Sequence, residues 1–191
     1  MKKQLCYECV KYGGGDYMHT TRKTVTVYLI SGPLGVGKST VSKTLASAMN
    51  QCVLIEGDLL LQVYRGETEP PWEERLRLAW LNIAAVTRNF LVNGLDVVID
   101  FVVEDELQWF FDQLSDLDVT LHYVVLHAEP DTLNARLHQR GDTQYIDRSL
   151  FLRSKLMASP VNELFLLDTD GKKPDELAEE IIKNSRFRIH G

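Results

Sequence analysis

The run Gly32-Pro33-Leu34-Gly35-Val36-Gly37-Lys38-Ser39 limits the possible folds more than any other part of the chain. It satisfies the pattern GxxxxGK[ST] and lies between a strand-like and a helix-like segment. Before it, Thr24-Val25-Thr26-Val27-Tyr28-Leu29-Ile30 is apolar and rich in β-branched residues; after it, residues 39–50 favour helix. In that setting the loop can wrap backbone N–H groups around phosphate oxygens, and glycine is needed because a β-carbon would block the turns or the close approach. Lys38 would then reach the β- and γ-phosphates of a nucleotide. The Ser39 hydroxyl would ligate Mg2+, and Thr40 would follow at a helix start whose partial positive charge favours anions. A glycine-rich turn with an incidental lysine is the alternative reading.

Further apolar runs at residues 52–55, 95–103, 119–126 and 164–167 alternate with stretches of helical periodicity. This alternation predicts parallel strands buried on both faces with helices packed outside, an α/β fold. The clearest helix is expected from Trp72, just after Pro70-Pro71, with Leu76, Trp80, Ile83, Phe90 and Leu91 recurring on one side and a stop at Asn93-Gly94. A last helix is expected from Pro174-Asp175-Glu176, with Leu177, Ala178, Ile181 and Ile182 on one face.

With 191 residues and 45% apolar content the chain can bury one substantial core, so one domain is expected over residues 23–191. Residues 1–22 read as an extension. Within it Cys6-x-x-Cys9 offers only half of a four-ligand zinc site. The Gly-Gly-Asp of the stretch Gly13 to Asp16 can be encoded by a bacterial ribosome-binding sequence, so translation is expected to start at Met18, with an ordinary tail as the alternative. Acidic residues outnumber basic ones by 27 to 21, and the net charge of −6 argues against bulk attraction to nucleic acid. The apolar runs are too short for a membrane span, and three cysteines do not make a disulfide framework, so a cytoplasmic location is expected.

Ligands of a parallel sheet gather at the carboxyl ends of its strands, which singles out two acids. Asp58, after Val53-Leu54-Ile55-Glu56-Gly57, is placed to accept or orient the proton of an attacking hydroxyl, or else to cap a helix. Asp100, closing Asp96-Val97-Val98-Ile99-Asp100, is placed to orient Mg2+, or else to bond neighbouring backbone. Glu56 reads equally as a structural partner, and Asp96 as a turn acid. Arg136 and Arg140, one helical turn apart, and Arg148 beyond Gly141 suit the spread charge of a phosphoryl-transfer transition state. A solvated basic face is the alternative, and Arg153 or Lys155 could stand in for any of the three. His122, His127 and His138 lack metal-site spacing.

These residues resemble the small P-loop kinases of the gluconate kinase, shikimate kinase, chloramphenicol phosphotransferase and zeta-toxin type, and look closest to bacterial gluconate kinase-like or AAA-type ATP-binding proteins. The resemblance runs through Gly32 to Ser39, Ile55-Glu56-Gly57-Asp58, Pro70-Pro71-Trp72-Glu73, Trp80, Asn82-Ile83, Asn89-Phe90-Leu91 and Asp96 to Asp100, and extends from Thr24 to Phe187. It implies a P-loop NTPase three-layer α/β/α sandwich around a five-stranded parallel sheet of order 2-3-1-4-5. It also implies a substrate region at about residues 59–92, a lid at about 136–150, and an adenine-side loop at Asp168-Thr169-Asp170-Gly171, which reads equally as a turn before the final helix. The activity implied is transfer of a phosphoryl group from ATP, with Mg2+, to a small-molecule hydroxyl; a regulatory NTPase module without an acceptor is the rival. Two departures concern the substrate: Gly141-Asp142-Thr143-Gln144-Tyr145 lacks the basic residues of a gluconate-type lid, and the Trp72 to Trp80 region is more apolar than a sugar acid requires.

Overall fold

The computed structural model describes residues 24–189. The Cys6 and Cys9 pair, the glycine stretch and the start at Met18 lie outside the described residues. Six strands form one sheet: β1 (Val25–Ser31), β2 (Cys52–Glu56), β3 (Asp96–Asp100), β4 (Val119–His127), β5 (Leu166–Asp168) and β6 (Arg188–Ile189). The first five are parallel in the order β2-β3-β1-β4-β5, the doubly wound α/β arrangement expected above. The helices are α1 (Lys38–Ser47), α2 (Gly57–Leu61), α3 (Trp72–Val92), α4 (Leu107–Asp112), α5 (Pro130–Arg140), α6 (Ile146–Ala158) and α7 (Pro174–Lys183).

Strand side chains alternate between faces, so each central strand feeds two cores. Val27, Leu29, Val97, Ile99, Tyr123 and Val125 pack on one face against α3, α4 and Leu156 of α6. Tyr28, Ile30, Val98, Val124 and Leu126 pack on the other against Val41 and Leu45 of α1, Leu133 of α5 and the buried face of α7. That double burial is why β1, β3 and β4 read as nearly unbroken apolar runs.

Several boundaries differ from the sequence expectation, each for a local reason. The run at 95–103 leaves the sheet after Asp100, because the Val103 amide donates to the Ser31 hydroxyl (2.9 Å) instead of continuing the ladder. Asp96 is no turn acid: it is the buried first residue of β3 and accepts the Thr26 amide hydrogen at 2.8 Å. In the segment before β5, Pro160–Phe165 forms a 3-10 helix and leaves Leu164 exposed. In α7 the buried side is Leu177, Ala178 and Ile181, while Ile182 faces outward. The antiparallel β6 is an addition: β5 pairs only with residues 125–127 of β4, and β6 covers the open edge at Leu121 and His122.

Candidate active site

The glycine loop leaves β1 at the carboxyl edge of the sheet and enters α1 through Gly37, whose φ of 105° is one that a residue with a β-carbon rarely adopts. Its carbonyls are held from outside. Ser149 of α6 donates to the Leu34 carbonyl (2.6 Å), and Arg136 of α5 donates through Nη1 to the Val36 carbonyl (2.9 Å) and to the Thr169 hydroxyl (3.3 Å). A planar trans peptide directs its N–H opposite to its C=O, so the amides of Gly35 and Gly37 point away from these donors. Both glycines line a cavity of about 150 Å³ that also contains Lys38, Ser39, Asp58, Asp100 and Arg140.

Lys38 folds back over its own loop, donating to the Gly32 and Pro33 carbonyls at 3.0 and 3.1 Å. Burial lowers its pKa, with Asp100 and Asp58 pulling the other way and Arg140 adding to the lowering. Asp100 ends β3 deep in the cavity. Burial raises its pKa, while Lys38 and a hydrogen bond from the Ser39 side chain oppose the rise. Asp58 is the second residue of α2, inside the first turn, and that helix has no side-chain cap. Gly57 before it packs so closely on Phe101 that a Cβ would come within 2.5 Å of the ring, which fixes where Asp58 enters. Glu56 turns outward to an ion pair with Lys43 at 2.9 Å.

The arginines separate. Arg140 lines the cavity with Lys38, and also a neighbouring one of about 230 Å³ beside Thr40, Arg136 and Thr169, on the side of the 168–171 loop. Arg148 is ion-paired with Glu104 and lines a third cavity, not the one that holds Lys38. Arg153 donates to the Ala128 carbonyl (2.6 Å), and Lys155 pairs with Glu104 and Asp105 at 3.2 and 2.7 Å. Ser149 was not singled out from the sequence; a serine in mid-helix carries no local signal of the carbonyl it meets 115 residues away.

A family model described as AAA domain matches residues 27–158, more than half of the chain. The chain belongs to this AAA domain family. Among solved structures it is similar to a gluconokinase from Sinorhizobium meliloti 1021, with TM-score 0.56, 21% identity, and coverage of 84% of this chain and 91% of that one. It is also similar to the Mycobacterium tuberculosis APS kinase in complex with AMPPNP and APS, with TM-score 0.62, 17% identity, and coverage of 85% and 97%. An RNA repair complex, Pnkp1/Rnl/Hen1, matches with TM-score 0.53 and 18% identity over 71% of this chain and 46% of that one. At such identities the likeness is one of fold. No curated protein sequence matches the chain.

In this AAA domain two of the oxygen donors at the loop, the Ser39 hydroxyl and the Asp100 carboxylate, are hydrogen-bonded to each other. Among the described residues no group of three or more His, Cys, Asp or Glu side chains is arranged to hold a metal. A hard, oxygen-seeking cation with few protein ligands, completed by phosphate and water, suits such a pair, and this is the usual habit of Mg2+.

The burial of Asp100 sets a stability test. A carboxyl whose folded pKa lies above its unfolded value carries a charge that costs folding energy at neutral pH. Asp100→Asn is therefore expected to raise the melting temperature of the ligand-free protein at pH 7. The gain should shrink as pH falls through the raised pKa and vanish below about pH 4, where the wild-type carboxyl is neutral in both states. Calorimetry across that range checks it; a lower melting temperature at pH 7 would mean that the Lys38 and Ser39 partners outweigh burial.

Proposed function

We propose that the chain is an ATP- and Mg2+-dependent phosphotransferase that acts in the cytoplasm on a hydroxyl of a small molecule. The observation that carries this is one cavity at the mouth of the glycine loop, lined together by Lys38, Ser39, Asp58, Asp100 and Arg140. Residues 32–40 would hold the nucleotide phosphates, the Gly35 and Gly37 amides donating to phosphate oxygens and Lys38 exchanging its loop carbonyls for them. Ser39 and Asp100 would hold Mg2+, which when bound offsets charge on the β- and γ-phosphates. Asp58 would orient the acceptor hydroxyl and take its proton. Arg140 faces the developing charge, and Arg136 holds the loop in shape. Arg148 would join the cradle only by leaving Glu104.

An acceptor other than nucleic acid is supported by the net charge of −6. Among the described residues no helix is long and apolar enough to cross a membrane.

The test is isothermal titration with ATP and MgCl2, followed by turnover of labelled ATP with sugar acids, nucleosides, aminoglycosides, phenyl-bearing alcohols and an RNA with a 5′-hydroxyl end. Nucleotide binding and label transfer to a small alcohol are expected. Hydrolysis that no compound stimulates would point to a regulatory NTPase, transfer only to RNA would reassign the acceptor, and the absence of nucleotide binding would end the proposal.

A further inference from the structure

A cavity of about 700 Å³ lies between α3, the segment after β3 and the start of α6, and its α3 wall falls within the 59–92 stretch for which the resemblance implies a substrate region. Its volume is that of a site for a drug-sized molecule. It adjoins the nucleotide side closely: Asp100 lines the smaller cavity and Glu104 the larger, four residues and at most about 14 Å of chain apart. Likewise Tyr145 lines the smaller cavity and Arg148, three residues on, the larger.

The walls are aromatic and aliphatic. Trp80 is 2% exposed and forms a floor, with Phe101 and Phe110 at ring distances of 5.1 and 5.7 Å behind it. Trp72, 49% exposed, stands at the rim; Trp109, Leu76 and Leu81 complete the apolar lining. Such surfaces favour flat rings, which stack on indole without needing charge.

Most of the inner charges already have partners. Arg148 pairs with Glu104, and Lys155 bridges Glu104 and Asp105. The Glu106 carboxylate accepts the backbone N–H groups of Glu104 and Asp105 at 2.9 and 3.0 Å. Glu73 and Arg77 sit on exposed helix surface at the rim, Arg77 with Glu74 at 3.8 Å. In all, four carboxylates face two guanidinium groups. An entering anion would lose water and meet an excess of acids; an entering cation would find the inner acids already paired.

We infer that this cavity selects an uncharged, ring-bearing alcohol, which becomes the phosphoryl acceptor if the phosphotransferase reading, on which that last step rests, is correct. The lining thus disfavours sugar acids, sulfonucleotides and the hydroxyl ends of nucleic acids as acceptors.

The chain has three tryptophans, and all of them line this cavity, so intrinsic fluorescence of the full chain reports on it directly. Titrations without nucleotide would use matched pairs that differ by one anionic group: phenyl β-D-glucoside and its glucuronide, phenylethanediol and mandelate, uridine and UMP. Each neutral member is expected to bind at least about tenfold more tightly than its partner, and phenyl glucoside at least about tenfold more tightly than glucose. Trp72→Ala, at an exposed position, should weaken phenyl glucoside binding at least about fivefold with an unchanged melting curve.

Equal or tighter binding of the anionic members, no saturable change with any neutral compound, or undiminished binding to the Trp72→Ala variant would overturn the inference. The same compounds are then incubated with labelled ATP and MgCl2. Neutral binding with no compound phosphorylated removes the phosphotransferase reading and keeps the cavity's preference; phosphorylation of the anionic members alone does the reverse.

Discussion

Lys38→Ala is expected to lower acceptor phosphorylation by about 10²–10³-fold or more, the usual cost of removing one preorganised charged donor from a developing anion. Among the described residues Lys38 is the one ammonium group lining the cavity that Gly35 and Gly37 share, with Arg140 as the other cation there. Without it, phosphate oxygens at the loop would be held by amide dipoles and a guanidinium on a separate helix. The fold should survive, because Lys38 pairs only with carbonyls of its own loop and with the cavity's acids. Turnover under saturating ATP, beside a melting curve for the variant, checks both halves. Full activity would remove Lys38 from the mechanism.

Asp58→Asn should behave differently. Its carboxylate lines the cavity, yet α2 has no side-chain cap and the turn is positioned by Gly57 against Phe101, so an isosteric amide should leave the local fold in place. Nucleotide affinity is expected within a few-fold of wild type, while kcat falls by about 10²–10⁴-fold, the range associated with a lost general base. Titration calorimetry and acceptor turnover measured on the same sample separate the two quantities. Unchanged turnover would reassign Asp58 to the architecture of α2.

The central architecture was legible because it is written in short-range patterns. A strand, glycine loop and helix are contiguous at residues 25–47, and double burial makes β1, β3 and β4 read as apolar runs. The α3 start at Trp72 follows from the two prolines before it, and Gly94, with φ 78°, lies just beyond its end. What stayed hidden depends on partners distant in sequence. Asp96 looked like a turn residue because its partner, the Thr26 amide, is 70 positions away. Arg136, Arg140 and Arg148 are alike in composition, but packing sends them to a loop carbonyl, the cavity at the glycine loop and Glu104 respectively. The sequence marks the Trp72 to Trp80 region only as apolar; the fold makes Trp80 a floor and Trp72 a rim, and adds Trp109 from another helix.

The hydrogen bonds from Ser149 and Arg136 to the glycine loop have a thermodynamic corollary. Helices α5 and α6 cannot swing outward without releasing the carbonyls of Leu34 and Val36, whose peptide planes aim two of the loop's amides. An anion held by those amides would therefore favour the docked position of both helices, and by reciprocity docking would tighten the hold by the same free energy.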